Sequence, residues 1–244
     1  MIAEGMVMLT HYVTRLTPGV LLFGLWFALT PRALPAMRIL ILLAAFVLMR
    51  DVMTPLHMWS LGSAAQIAFT DNAFVLAALG GLSVLLIMWL ARLAPELWRL
   101  VRWFIGHPAI GLAIGLAVGC LMGVPLRVYQ GIDVSEIYGY WVWLPGIVVL
   151  AFGGNALEEV LFRGFLQGYL EQQVTPMRAA LISGVAFAFC HSFLALSVTA
   201  LGWPVLLFTL IEGLACAWVR MRYGVLPATL THGTTILLIA VPLV

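Results

Sequence analysis

Long apolar segments recur along almost the whole chain, and they limit its fold more than any other feature. A helix that crosses the hydrocarbon core of a membrane needs about 20 predominantly apolar residues. The sequence therefore predicts an all-α, polytopic membrane bundle of about eight transmembrane helices, because a spanning helix satisfies its own backbone hydrogen bonds. The predicted spans are residues 16–30, 35–50, 72–92, 108–126, 139–162, 177–197, 203–220 and 225–242.

Charge is scarce in this chain, which is 64% hydrophobic and only 9% charged, with a mean hydropathy of +1.10. Soluble domains carry roughly 25% charged residues, so the expected partner is the lipid bilayer. The net charge of +2 is small and dispersed, and it does not favour nucleic acid. Cys120, Cys190 and Cys216 lie in apolar stretches without C-x-x-C spacing, which indicates buried thiols. We expect an integral, multi-pass protein of a bacterial-type cell membrane, without a cleaved signal peptide.

The distribution of arginine predicts an orientation in the membrane. Arg15, Arg50 and Arg127 lie on one side of the predicted spans, whereas eight arginines lie in the odd-numbered loops. Because positive residues favour the cytoplasmic side, we expect the odd-numbered loops in the cytoplasm. Residues 51–71 are predicted to lie along the membrane interface, and the segment 92–107 is predicted to form an amphipathic helix there. The eight arginines of the odd-numbered loops are Arg32, Arg38, Arg92, Arg99, Arg102, Arg178, Arg220 and Arg222.

Two adjacent acids, Glu158 and Glu159, follow an apolar run in the fifth span. An ionisable side chain at membrane depth costs several kcal/mol, which makes it a candidate functional residue. Glu159 and Arg163 are spaced i, i+4, so they can pair on one helix face. Glu158 points about 100° away and is left for another partner. A purely structural salt bridge is the weaker interpretation, because one arginine does not neutralise two acids.

Helical spacing predicts that His191 reaches the depth of these acids. Glu159 lies 16 residues before Thr175 and His191 lies 16 residues after it. If the fifth and sixth helices turn at Thr175, both side chains lie about 24 Å from the turn. Phe187 shares a helix face with His191 and is expected to pack beneath the imidazole ring.

His232 is expected at a similar depth. It lies eight residues after Gly224, which marks a turn, and so about 12 Å from that turn. The polar tail after Arg163 is expected to protrude from the bilayer, which leaves the acids about 10 Å below the surface. Three separate segments should therefore meet at one level, nearer the cytoplasmic side.

Three motifs occur in order along this second half of the chain. They are E-E-x-x-x-R at residues 158–163, F-x-x-x-H at residues 187–191, and a late histidine, His232, in LPATLTHGTTI. Together they resemble the CAAX protease and bacteriocin-processing family of glutamic intramembrane proteases, which includes the type II CAAX prenyl endopeptidases. The resemblance covers residues 139–244 as a catalytic helix bundle, whereas residues 1–138 carry no recognised motif. Both regions are expected to form one integral membrane domain.

The resemblance implies an intramembrane endopeptidase that needs no metal and no cofactor. It would cut a peptide bond near the C-terminal tail of a membrane-associated protein or peptide. Glu158, helped by His191, would activate a water molecule, and His232 would donate a hydrogen bond to the oxyanion. Arg163 and Phe187 would orient the site. The catalytic residues implied are Glu158, Glu159, His191 and His232.

One position departs from the family pattern. The family has Asn or Asp four residues after the last histidine, where this chain has Ile236. Because Ile cannot donate a hydrogen bond, the oxyanion donor must be sought elsewhere. Asn155, one helical turn before Glu158, and Thr235 are the two candidates.

Other interpretations of these residues remain open. Glu158, His191 and His232 could bind zinc, although no H-E-x-x-H motif is present. Glu212, in the seventh span, has no motif support and is interpreted as a packing residue. The alternative function is a non-enzymatic membrane protein that binds peptides, or acts in immunity or as a scaffold.

Overall fold

The computed structural model describes residues 1–61, 67–131, 140–192 and 203–243, which form a helical bundle. Among these residues, six helices are long and apolar enough to cross a membrane, and two shorter apolar helices pack with them. The predicted all-α membrane architecture is confirmed, although residue 139 and residues 193–197 of two predicted spans lie outside the described residues. The helices are α1 (Ile2–Leu29), α2 (Pro35–Met53), α3 (Ala73–Leu93), α4 (Pro95–Trp98), α5 (Pro108–Gln130), α6 (Tyr140–Val149), α7 (Asn155–Glu159), α8 (Gln167–Leu170), α9 (Pro176–Cys190), α10 (Trp203–Tyr223) and α11 (Val225–Ile239).

Local sequence explains where several helices begin. Proline occupies the first position of α2, α5 and α9, where its missing N–H would have been unpaired anyway. Asn72 caps α3, because its side-chain oxygen accepts a hydrogen bond from the Val75 N–H at 3.3 Å. Because α9 begins at Pro176, directly after Thr175, the predicted helix break at Thr175 is confirmed.

The bundle has two ends that differ in charge. At the Arg-rich end, which comprises residues 30–34, 94–107, 171–175 and 223–224, ion pairs join Arg32 to Glu96 and Arg102 to Glu171. At the Arg-poor end, the start of α1 meets the start of α3, where the Asn72 amide donates to the Met1 carbonyl at 2.7 Å. Helices therefore alternate in direction between these two ends.

The Arg-rich end is less helical than predicted. Beyond Leu93, where α3 ends, only Pro95–Trp98 is helical within the segment 92–107, because the backbone after Trp98 bonds to the turn between α10 and α11. The Ile105 N–H donates to the Tyr223 carbonyl, and the Val225 N–H donates to the Arg102 carbonyl, both at 2.8 Å. Gly224 has φ of 107° and packs on Trp103, where a side chain would collide with backbone.

The Arg-poor end carries a small sheet that the sequence analysis did not predict. β1 (Trp59–Leu61) pairs antiparallel with β2 (Ile67–Thr70), which pairs in parallel with β3 (Ala240–Leu243). The connector 51–71, predicted as an interfacial segment, supplies two of these strands. The last span, predicted to continue to residue 242, ends at Ile239, consistent with Pro242 being unable to continue a helix.

The acids lie on a helix that departs from regular α geometry. Trp141–Leu170, which we call the motif helix, runs continuously through α6, α7 and α8. Two π-helical segments, Leu150–Gly154 and Val160–Leu166, flank α7, where Glu158 and Glu159 lie. Single π-helical turns of this kind occur frequently at functional sites.

The polar tail of the motif helix is enclosed by protein. The buried side chain of Gln167 donates to the Ala217 carbonyl of α10 at 3.1 Å. Gly168 packs against the backbone of Leu100 so closely that a Cβ would lie 2.6 Å from the Leu100 oxygen. The sequence analysis predicted that this tail protrudes from the bilayer, and in the structure the segment 94–107 packs against it.

A row of glycines sets the position of α11, which carries His232. Gly111, Gly115, Gly119 and Gly123 are buried along α5 at four-residue spacing. The Thr231 hydroxyl of α11 donates to the Gly115 carbonyl at 3.0 Å. This close approach depends on the absence of side chains, as in other membrane helix pairs that use small residues.

We expect Gly115→Ala to destabilise the protein by about 1–3 kcal/mol, since it overpacks this contact. A Cβ at this position would lie 2.4 Å from the Pro227 backbone oxygen. The free energy of unfolding, measured by denaturant titration in detergent, checks this expectation. The matched control is Gly81→Ala in α3, where a Cβ would have nothing within 4 Å. Equal stability of the two variants would contradict the packing argument.

Candidate active site

Glu159 and Arg163 form a buried ion pair at the centre of the bundle. Both side chains are fully buried, and Arg163 Nε lies 3.3 Å from Glu159 Oε2. Arg163 Nη2 also donates to the Gly213 carbonyl of α10 at 2.9 Å. The i, i+4 pairing predicted from the sequence is therefore present. It fixes the motif helix against α10.

Glu158 has a different set of partners. Its side chain is 1% exposed, and its Oε1 atom accepts a hydrogen bond from Arg50 Nη2 of α2. Its Oε2 atom lies 3.7 Å from Nε2 of His191, too far for a direct hydrogen bond. Glu158 is thus held by a cation on one side and faces an imidazole on the other.

The hydrogen bond at Nδ1 of His191 determines what its other nitrogen can do. Nδ1 lies 2.7 Å from the Phe187 carbonyl. Because a carbonyl only accepts hydrogen bonds, Nδ1 carries the proton, and Nε2 of the neutral ring is an acceptor. Two acceptors, Glu158 Oε2 and His191 Nε2, therefore face each other across 3.7 Å. A water molecule can bridge such a gap by donating to both.

His232 lies between two acids. Its Nδ1 atom lies 2.9 Å from Oε1 of Glu159, and its Nε2 atom lies 3.7 Å from Oε2 of Glu212. The expected meeting of the fifth, sixth and last helices is therefore confirmed. Glu212, expected to be a packing residue, is 2% exposed and belongs to this cluster.

Phe187 is the packing centre of the cluster. Its fully buried ring lies 4.4 Å from the His191 ring and 5.5 Å from the His232 ring, measured between centroids. The Arg163 guanidinium carbon lies 4.3 Å from the centroid of the same ring. Phe187 thus contacts both imidazoles and the cation, which limits the positions that these groups can adopt.

A cavity of about 390 Å³ opens beside these residues. Its walls are largely apolar and include Phe208, Ile236 and Ile239. A volume of this size lies in the usual range for ligand pockets. The charged and imidazole side chains on its wall are Arg50, Glu158, His191, Glu212 and His232.

The cavity extends toward the Arg-poor end. Its wall includes Trp59 of β1, Phe69 of β2, Tyr129 near the end of α5 and Val205 near the start of α10. Tyr129 is 77% exposed, so the cavity reaches the surface there. The sequence analysis placed the site nearer the cytoplasmic side, which the arginine bias assigns to the Arg-rich end, whereas the cavity extends the other way. The segment 94–107 packs across the Arg-rich end instead.

Of the two candidate oxyanion donors, only Asn155 faces the cavity with a free donor among the described residues. Asn155 lines the cavity, and its buried Nδ2 atom has no hydrogen-bond partner among the described residues. Thr235 is fully buried and donates within α11 to the Thr231 carbonyl at 2.9 Å, so it does not serve the cavity. Ile236 lies on the cavity wall, where it contributes no polar group.

The sequence analysis missed two residues of this site. Arg50 was counted as a loop residue, yet it reaches Glu158 from the last turn of α2. Glu212 was considered and set aside for lack of a motif. The signal that identifies Arg50 and Glu212 is their charge, because any ionisable residue within an apolar span is a candidate functional residue.

A second group of side chains has spacing suited to a metal ion. Ligand atoms of Glu159, Cys216 and His232 all lie within 4.8 Å of one another. However, the two oxygens of Glu159 already face His232 and the Arg163 guanidinium. The cation would oppose a metal ion at this position. The zinc site considered from the sequence consisted of Glu158, His191 and His232. The group with metal-like spacing among the described residues is a different one, Glu159, Cys216 and His232.

Buried acids and imidazoles around a cavity define a class of protein, namely a polytopic membrane protein with a candidate hydrolytic site inside its bundle. Residues 140–238 match the family model described as type II CAAX prenyl endopeptidase Rce1-like. Over these residues the chain is similar to that family, in agreement with the resemblance carried by the three motifs. No curated protein and no solved structure matches the chain. The family supports an integral membrane protease, and Arg50 joins the site from outside the matched region.

Proposed function

We propose that the protein is an intramembrane glutamic endopeptidase that cuts near the C-terminus of a membrane-associated protein or peptide. The observation that carries this proposal is the pair of acceptors, Glu158 Oε2 and His191 Nε2, 3.7 Å apart beside the cavity. A water molecule held by both would have its lone pair free to attack a carbonyl carbon. The apolar walls suit a hydrophobic tail that enters from the bilayer.

The reaction follows from the roles that these groups can perform. Glu158 takes a proton from the water as the water oxygen bonds to the scissile carbonyl carbon. The carbonyl oxygen becomes an oxyanion, which accepts hydrogen bonds from His232 Nε2 and the Asn155 amide. The proton on Glu158 then passes to the leaving nitrogen, the C–N bond breaks, and a carboxylate and an amine are released. Glu159, Arg163 and Phe187 position His232 for its role.

The test is a cleavage assay with the purified full chain in proteoliposomes, using a library of hydrophobic C-terminal tails. Mass spectrometry should find one new carboxylate and one new amine per cut. A metal chelator should not change the rate, because no step uses a metal. Tails that bind without being cut would instead support the alternative, a peptide-binding, immunity or scaffold protein.

We infer that the cavity mouth faces the compartment opposite the cytoplasm. With Arg50 directed into the site and Arg15 in the middle of α1, eight arginines remain at the Arg-rich end, against Arg127 on the other side. The positive-inside rule favours the Arg-rich end as the cytoplasmic one. Substrates would then be tails exposed on the outer face, such as exported peptide precursors or C-terminal sorting tails.

Labelling of single cysteines in intact cells tests this orientation. Tyr129→Cys lies at the mouth, so a membrane-impermeant maleimide should label it without permeabilisation. Gln172→Cys, an exposed position at the Arg-rich end, is the matched control and should be labelled only after permeabilisation. Both are compared with the chain that carries only its three native cysteines. The reverse pattern would place the mouth in the cytoplasm.

A further inference from the structure

The active site contains more buried acids than arginines. Glu158 pairs with Arg50, and Glu159 pairs with Arg163. Among the described residues, Glu212 forms no ion pair with an arginine, and its charged neighbour is His232. The Glu212 side chain is 2% exposed, and its Oε1 atom has no hydrogen-bond partner there. Buried charges in proteins are normally paired, since an isolated one is very costly. One further positive charge would balance the cluster.

His232 is the group placed to supply that charge. Nδ1 lies 2.9 Å from a Glu159 carboxylate oxygen, which can only accept, so Nδ1 carries a proton. In a neutral ring Nε2 would then be an acceptor, unable to donate to an oxyanion. Only the imidazolium donates from both nitrogens. Nε2 lies 3.7 Å from Oε2 of Glu212, on the cavity wall.

We propose that Glu212 is the counter-ion that keeps His232 doubly protonated, so that Nε2–H can donate to the oxyanion. Glu212 is a positioning residue, because it acts through His232. The catalytic consequence of this ion pair rests on the proposed function. The existence of the ion pair between Glu212 and His232 does not. The other groups around His232 do not replace Glu212, because Glu159 already pairs with Arg163 and Phe187 is apolar.

The neighbouring wall explains why this chain would need such a counter-ion. Ile236 lies one helical turn after His232 and lines the same cavity. Its side chain cannot donate a hydrogen bond, so α11 presents only His232 as a donor on that face. A charged donor is roughly twice as strong as a neutral one. An imidazolium can therefore compensate for the missing polar neighbour.

The first test needs no catalytic turnover. ¹⁵N-histidine labelling of the full chain reports the protonation of each ring nitrogen, and His232→Gln assigns the resonances of His232 among the five histidines. We expect both nitrogens of His232 to be protonated near neutral pH, and one of them to lose its proton in Glu212→Gln. Glu96→Gln, an acid paired with Arg38 outside the cavity, should leave His232 unchanged. A singly protonated His232 in the unmodified protein would overturn the proposal.

The second test measures cleavage. Glu212→Gln should lower kcat by about 10²–10³-fold, the usual effect of losing one oxyanion donor, with little change in KM. Adding Ile236→Asn to this variant supplies a neutral donor and should restore part of kcat, which a merely structural role of Glu212 would not predict. Unchanged kcat in Glu212→Gln would overturn the proposal. If the spectra behave as expected and no tail is cut, the ion pair is supported and the proposed function fails.

Discussion

Glu158→Gln should lower the rate of cleavage by about 10²–10⁴-fold, the usual contribution of a general base. The amide has the shape of the carboxylate but cannot accept the proton of the attacking water. The fold should survive, because the Arg50 side chain that loses its partner is 27% exposed and can be solvated. The measurement is the single-turnover rate on a reconstituted tail substrate, together with the thermal stability of the variant.

The matched control for this substitution is Glu96→Gln. Glu96 also pairs with a buried arginine, Arg38, but it lies at the Arg-rich end and does not line the cavity. Its variant should cleave at the normal rate. Combining Glu158→Gln with His191→Gln should cost little more than Glu158→Gln alone, because the two residues act on one water. Full activity in Glu158→Gln would remove Glu158 from the mechanism.

Arg163→Met should destabilise the protein by about 3–5 kcal/mol, the cost of leaving one partner of a buried ion pair uncompensated. Glu159 and Arg163 are both fully buried, so neither water nor lipid headgroups can replace the lost cation. The substitution also removes the hydrogen bond from Arg163 to the Gly213 carbonyl. The free energy of unfolding in detergent micelles, obtained from a denaturant titration, measures the effect.

A double substitution separates the ion pair from general packing. Adding Glu159→Gln to Arg163→Met removes the uncompensated charge and should recover much of the lost stability. Arg102→Met is the control, since the side chain of Arg102 is 64% exposed in its contact with Glu171. Exposed ion pairs contribute about 0–1 kcal/mol. If the double variant is no more stable than Arg163→Met, the loss comes from packing and not from charge.

Helix geometry made part of the site predictable. The rise of an α-helix converts residue counts into depth, and Thr175 and Gly224 marked the turns from which depth could be counted. Glu158, His191 and His232 could therefore be brought to one level without a structure. The Glu159–Arg163 pair was predictable for the same reason, because its partners share a single helix.

Contacts between helices were not predictable in this way. Arg50 lies 108 residues before Glu158, and only the packing of α2 on the motif helix brings them together. The sequence analysis considered Thr235 as an oxyanion donor, and this was wrong. The glycines of α5 allow α11 to pack closely on α5, and the Thr235 hydroxyl lies 3.4 Å from the Gly119 carbonyl instead of facing the cavity. The rotation of a helix about its own axis depends on its neighbours.

The sequence by itself determined that the chain is a membrane bundle and that two acids and two histidines lie at a common depth, because apolar length and helical rise are local properties. The tertiary structure decided which partner each acid has and that the cavity opens toward the Arg-poor end. It also placed Glu212 beside His232. These features depend on how helices rotate and pack against one another, which is set by side chains far apart in the chain.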